Sequence, residues 1–231
     1  MAGSHNLSSI VGAWNAATPN CPLGVGQSSL SLSGFIRVNA VARNSTVFTQ
    51  TNNPLSNAFA VAVRTGDIQF TIRGTAAATY ASPLVLGQGI HFGLTLSPTS
   101  AKVYVNGVVK QSINSPGITL ANVNSIRLFT TAGTGNNFFV SDFAIWNGVE
   151  LPSSVITDLC YRAIDPGSAP IPATSWWRLG GPDGTIAISG SAGLQDAIGS
   201  NHLSNVTGTA AGGVYNDDTL VFDSPIAIVS P

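Results

Sequence analysis

Hydrolysis of a glycosidic bond takes two carboxyl groups set across the bond from each other, and this chain has a single glutamate, Glu150. It lies in the turn-like run Asn147-Gly-Val-Glu150, and no close-set acidic pair falls on a strand-like segment, so paired-carboxylate catalysis is not expected. Nucleophile systems are no better supplied. Of three histidines, His5 lies near the start, His91 falls on the polar side of an alternating run where a solvated or edge-packed ring is expected, and His202 precedes a strand-like segment. No serine sits in a Gly-x-Ser-x-Gly elbow. The glycine pairs Gly180-Gly181 and Gly212-Gly213 lack the lysine and the strand-to-helix setting of a phosphate cradle. Cys21 and Cys160 match no metal spacing and read as reduced structural thiols, with a long-range disulfide left open. No catalytic residue, metal or cofactor is expected, and the chain is not expected to be an enzyme.

Aromatic rings are the other chemistry available, because their faces stack on sugars or anchor protein partners. Trp14, Tyr80 and Tyr215 lie in loop-like stretches and are the candidate glycan or partner contacts. Trp146, Trp176 and Trp177 fall on strand-like runs and are expected in the core. Trp176 and Trp177 are adjacent, so on a strand they must point to opposite faces.

The elements that would position these groups are strands. Phe59, Val61 and Val63, then Ile68, Phe70 and Ile72, then Ile90, Phe92, Leu94 and Leu96 each recur with period two, which places one face in a core. Asn106-Gly107 between Val103-Tyr-Val105 and Val108-Val-Lys110 predicts a two-residue hairpin. Phe138 to Trp146 is apolar on both sides, apart from Ser141 and Asp142, and reads as a central strand. Leu151 to Cys160 spaces Val155, Ile156 and Leu159 for one short helix after a Pro-Ser start, expected to plug one edge of the core. Residues 166–174 read as a linker, and strand-like runs resume over residues 175–231. Ten or more short strands with frequent turns predict an all-β sandwich of two antiparallel sheets in a single domain, 1–231, with 1–165 as its main strands and helix.

Composition removes several functions. Charged residues make up 8% of 231 positions, against about 25% in an ordinary soluble domain. Ser, Thr and Asn together fill 64 positions. A net charge of −1 leaves no electrostatic footprint for nucleic acid. No apolar run reaches a membrane span, and Met1 to Ile10 lacks the regions of a signal peptide, so synthesis in the cytoplasm is expected. The sequons at Asn6, Asn44 and Asn205 are what chance yields in so Asn- and Thr-rich a chain.

The run Ile90 to Trp146 resembles the laminin G-like, concanavalin A-type jelly roll found in lectins and glucanases. Tyr104-Val-Asn-Gly107 is similar to the family's "YVNG" hairpin, Phe139-Val-Ser-Asp-Phe-Ala-Ile-Trp-Asn147 to its later long strand, Leu151 to Leu159 to its closing helix, and Leu30 to Arg37 to an earlier strand. Trp176-Trp-Arg-Leu, Gly193-Leu-Gln-Asp196, His202-Leu203 and Leu220-Val-Phe-Asp223 resemble the module's opening, displaced to the end of the chain. The sandwich is therefore expected to be circularly permuted, the other reading being that the final segment lends strands to a neighbour. The family often carries calcium, for which Asp196, Asp217 and Asp218 are the candidate oxygen donors, although Asp217-Asp218 reads more simply as a turn.

Resemblance and composition together predict a virion structural protein of a tailed bacteriophage. It would be a capsid decoration or cement protein, or a fibre module, on the particle surface, with a major capsid protein and copies of itself as partners and cell-surface glycan as a further one. The alternative is a carbohydrate-binding lectin or adhesin module. The arm Asp223 to Pro231 carries Ile226, Ile228 and Val229 between prolines, expected to add an edge strand to its own sandwich or to dock on a neighbouring subunit.

Overall fold

Alternation of apolar with small polar residues is longest in Leu30–Ala40, and this segment becomes the strand from which one sheet is built. Leu30, Leu32, Ile36 and Val38 point inward, while Ser31, Ser33, Phe35 and Arg37 alternate with them on the other face. The computed structural model describes residues 5–6, 13–17, 28–41, 44–51, 59–72, 78–114, 125–128, 137–177, 196–199 and 204–207. In chain order the strands are β1 (His5–Asn6), β2 (Ala13–Ala17), β3 (Leu30–Ala40), β4 (Ser45–Thr51), β5 (Phe59–Arg64), β6 (Asp67–Ile72), β7 (Ala78–Pro83), β8 (Gly89–Leu96), β9 (Ser100–Val105), β10 (Val108–Asn114), β11 (Ser125–Leu128) and β12 (Asn137–Asn147). Helix α1 (Ser153–Cys160) follows, then β13 (Ser175–Trp177) and β14 (Ser204–Thr207).

Two antiparallel sheets form. The first has the order β1-β12-β3-β8-β9-β10, with β13 also on β12; the second has the order β14-β2-β11-β4-β5-β6-β7. The expected central strand is β12, paired with β3 on one side and with β1 and β13 on the other. Between the sheets lies the main core, where Leu32, Ile36, Phe92, Leu94, Phe143 and Trp177 of the first sheet meet Val61, Val63, Phe70 and Ile72 of the second. Its ring system runs Tyr80, Phe70, Phe92, Phe143, Trp177, with successive centroids about 6 Å apart. Two late strands pair within the chain: β13 with β12 through Ala144 and Ile145, and β14 with β2.

A third layer covers the outer face of the first sheet. The middle row of that face reads Ala144, Ser33, Gly93, Tyr104 across four paired strands, and its three small residues leave a trough that α1 fills. Ile156 sits so close that a Cβ on Gly93 would lie 2.9 Å from its Cγ2. Val155, Ile156 and Leu159 pack there with Tyr104, Trp146, Ala173 and Trp176 as a second buried cluster. The helix therefore covers a face, where the sequence reading had it plugging an edge of the core. The stretch expected to link, 166–174, is folded onto the same face. Ala169 and Ala173 are buried, Trp146 Nε1 donates to the Ile171 carbonyl at 2.8 Å, and Thr174 N–H donates to Ile145 at 2.7 Å.

Replacing Gly93 with Ala is expected to cost about 1–3 kcal/mol, because a methyl group forced against Ile156 overpacks a filled trough. Urea denaturation of Gly93→Ala checks this, and an unchanged midpoint would show that α1 is loosely seated.

Candidate functional site

The third layer changes the setting of His91. Its period-two position does place it on the side facing away from the sandwich core, but α1 and the turn after it lie over that side. The ring is 2% exposed, which corrects the expectation of a solvated or edge-packed imidazole. Its Nε2 lies 2.8 Å from Ser33 Oγ, its backbone N–H donates to Asn106 Oδ1, and its Nδ1 has no hydrogen-bond partner. Burial, with the nearby charge of Arg162, lowers its pKa to about 3.

Arg162 follows the helix. The N–H of Arg162 reaches the Leu159 carbonyl and that of Ala163 reaches Asp158, the paired bonds of a Schellman ending, with Arg162 itself at φ +54°. Glycine is the usual residue there, since an L side chain in the left-handed region costs about 1 kcal/mol. The guanidinium explains the exception. It lies 4.6 Å above the ring of Phe35 and 3.2 Å from Asp142 Oδ2. Asp142 also has positive φ, +50°, at the bulge where β12 passes from its β1 pairing to its β13 pairing. Phe35 meets the edge of the His91 ring at 4.9 Å between centroids. Phe35, His91, Asp142 and Arg162 thus form one cluster from three strands and the helix end. Sequence reading missed it as a cluster. The signals available were an aspartate interrupting an apolar strand and an arginine where a helix-ending glycine was due.

Around this cluster, exposed side chains gather at one end of the sandwich. The loop 84–88 is tied there by Gly87 N–H to the Val38 carbonyl, the Asn106-Gly107 turn by Asn106 N–H to His91, and α1 by Thr157 Oγ1 to Gly107. Leu86 is 58% exposed and Val108 54%, with Val85, Val109 and Tyr161 also open to solvent. Most of the exposed large apolar side chains among the described residues are at this end.

The predicted contact residues do not meet. Trp14 and Tyr80 lie on strands β2 and β7 and not in loops, with β11, β4, β5 and β6 between them. Five strand spacings separate them by about 24 Å, so they share no platform. Tyr80 is half-buried and stacks on Phe70 at the rim of the core. Asp196 is buried, and its Oδ1 accepts backbone N–H groups from Trp176, Ile198 and Gly199 at 2.9, 3.2 and 3.0 Å, fastening the segment 196–199 to β13. Tyr215, Asp217, Asp218, Ile226, Ile228, Val229, His202 and Cys21 lie outside the described residues. Cys160 carries a free thiol, its pKa raised to about 11 by burial. Among the described residues no three His, Cys, Asp or Glu side chains assemble into a metal-holding group.

Glu150 accepts a hydrogen bond from Ser100 Oγ at 2.6 Å and lies 3.7 Å from Lys102 Nζ. Burial raises its pKa, but the hydroxyls of Ser100 and Ser97 and the Lys102 charge outweigh that and lower it overall. A carboxylate held ionised in this way is a poor general acid.

Among the described residues, two antiparallel sheets, one covering helix and the hairpin at Asn106-Gly107 define a lectin-like jelly roll. The family profile described as "Concanavalin A-like lectin/glucanases superfamily", a laminin G type, matches residues 12–155; the chain belongs to this superfamily. No curated protein matches the chain in sequence. Among solved structures, the chain is similar to the botulinum neurotoxin serotype D binding domain, with a TM-score of 0.56 at 14% identity over 68% of this chain and 42% of that one. A second structure, the receptor binding domain of botulinum neurotoxin D, gives 0.57 at 14% identity over 70% and 44%. At such identity the likeness is one of fold, and the chain spans less than half the length of either solved chain.

Proposed function

We propose that this chain is a non-catalytic, lectin-like binding module that recognises carbohydrate. The observation that carries this reading is the state of Glu150, the only glutamate in the chain. In a superfamily named for lectins and glucanases, the glucanase branch requires two carboxyl groups across the scissile bond. Here the one glutamate is engaged by Ser100 and Lys102, which favours the lectin branch. The fold neighbours, themselves binding domains, support the same branch. A glycan array probed with the purified protein should give a saturable signal, and a β-glucan panel should give no turnover. Turnover that disappears in Glu150→Gln would overturn the reading.

The second reading is a protein-binding role: a capsid decoration, cement or fibre module on a bacteriophage particle. Val85, Leu86, Val108 and Val109 favour it, because exposed aliphatics at one end suit a protein contact better than a sugar. The low charge fits as well, since neutral polar residues cost less to desolvate than charged ones. Co-purification with intact particles in the absence of a glycan signal would favour this role over the first.

A further inference from the structure

We propose that the end of the sandwich carrying Val85, Leu86, Val108, Val109 and Tyr161 is a self-association surface, on which a second copy of this chain docks about a two-fold axis. The proposal rests on the apolar end used in the protein-binding reading and is independent of carbohydrate recognition. Three segments build the surface, and each is tied down. Gly87 N–H donates to the Val38 carbonyl at 2.7 Å and holds loop 84–88 against β3. Asn106 N–H donates to the His91 carbonyl at 2.8 Å, and Asn106 Oδ1 accepts the His91 N–H at 2.9 Å, which holds the turn against β8. Thr157 Oγ1 donates to the Gly107 carbonyl at 3.1 Å and holds α1 against the turn. The five apolar side chains are between 38% and 58% exposed, on backbone already in place, so little ordering is left for a complex to impose. They present on the order of 400 Å² of apolar surface, within the range where the largest patch on a monomer is often functional. That is about half of what each partner contributes to a standard interface.

Charge selects the occupant. A two-fold interface sets each residue of one copy against a different residue of the other, so the surface has to complement itself. Lys110 follows Val109 on the hairpin, and Asp158 follows Thr157 on the helix turn that leads to Tyr161. Both are exposed, and neither has an ion-pair partner among the described residues. One unpaired cation on the hairpin and one unpaired anion on the helix therefore flank the same apolar end. A two-fold axis through that end sets Lys110 against Asp158 of the partner subunit, and does so twice. An anionic lipid surface would attract Lys110 but repel Asp158, and a net charge of −1 supplies no basic cluster to outweigh the repulsion.

Sedimentation velocity of the full chain across about 1–500 µM tests this. The mean mass should rise from one chain to two, with a Kd on the order of tens of micromolar for a patch below the standard size. Leu86→Asp changes an exposed side chain, so it should fold, and a charge in the apolar centre should weaken association more than about tenfold. Lys110→Asp and Asp158→Lys, also at exposed positions, should each weaken it several-fold, because like charges then meet across the axis. The double exchange should restore wild-type association. A chain that stays monomeric throughout overturns the proposal. So does a dimer that Leu86→Asp leaves intact, which puts the contact elsewhere, and so does an exchange that fails to rescue the single variants, which removes the two-fold pairing. Binding to phosphatidylserine vesicles that Leu86→Asp abolishes, with no dimer in solution, assigns the surface to lipid instead. Particle co-purification reads the protein-binding role separately, since a monomer that still attaches to particles keeps that role and loses this one.

Discussion

Acidification from pH 6.5 toward pH 3 should destabilise this protein through His91 by about 1.4 kcal/mol for each pH unit. The unfolded chain takes up a proton on this side chain near its ordinary pKa of 6.5, and the folded chain only near 3. Between those values the unfolded state holds more protons, so stability falls as pH falls, and below about 3 the effect is complete. The cause is geometric. A protonated imidazole at this position would be a buried charge close to the Arg162 guanidinium, with an Nδ1–H that meets no acceptor. Urea denaturation of wild type and His91→Gln at several pH values isolates the contribution. The variant should lose about one proton's worth of pH dependence across this window, whatever its absolute stability. Equal slopes for the two proteins would show that the imidazole titrates normally in the folded state, and hence that the third layer does not seal it.

Trp177→Ala should cost about 3–5 kcal/mol, the range for emptying a buried aromatic site, out of a total of about 5–15 kcal/mol for a domain. Trp177 is fully buried and stacks on Phe143 at 5.9 Å, at the end of the ring system that runs through both sheets. It belongs to a three-residue strand from the late part of the chain, held to β12 by ladder bonds and to the segment 196–199 by Asp196. A loss of less than about 1 kcal/mol in the free energy of unfolding would mean that this strand does not contribute to the sandwich core. A loss in the expected range would establish that residues after the helix belong to the same cooperative unit as β3 and β12.

The two results test different parts of one construction. The sandwich core is built from the inward positions of both sheets, and Trp177 probes it. The outer cluster depends on a helix and a turn laid over a sheet face whose residues are mostly small or polar, and His91 probes that. Arg162 and Asp142 stand at the border of the outer cluster, where two L residues accept left-handed backbone in exchange for an ion pair and a stacking contact. Strand β10, the last of its sheet among the described residues, is handled differently. A register shift between Val109 and Gln111 leaves Lys110 bulged from the ladder, and both a bulge and a lysine discourage edge-to-edge pairing.

Period-two spacing in Val61–Val63, Ile68–Ile72 and Ile90–Leu96 determined by itself which side chains enter the sandwich core, because one register of a pleated strand buries one set and exposes the other. Asn106-Gly107 determined the hairpin through its tolerance of positive φ, observed at +51° and +75°. The single glutamate left no pair of glutamates for paired-carboxylate catalysis. Adjacency determined that Trp176 and Trp177 face opposite ways, but only the tertiary structure decided that Trp177 enters the sandwich and Trp176 the layer under the helix and the 166–174 segment. Only the tertiary structure decided the fate of His91, Ser33 and Thr95, which alternate as solvent-facing residues do and are buried nonetheless. The reason is that strand periodicity specifies a side and says nothing of what lies beyond it. Whether the outward side meets water or a third layer depends on where α1 lands, and that is fixed by a row of small residues, Ala144, Ser33 and Gly93, drawn from three strands far apart in the sequence. The pairing of Asp142 with Arg162, twenty residues along and across a helix, depends on the same packing.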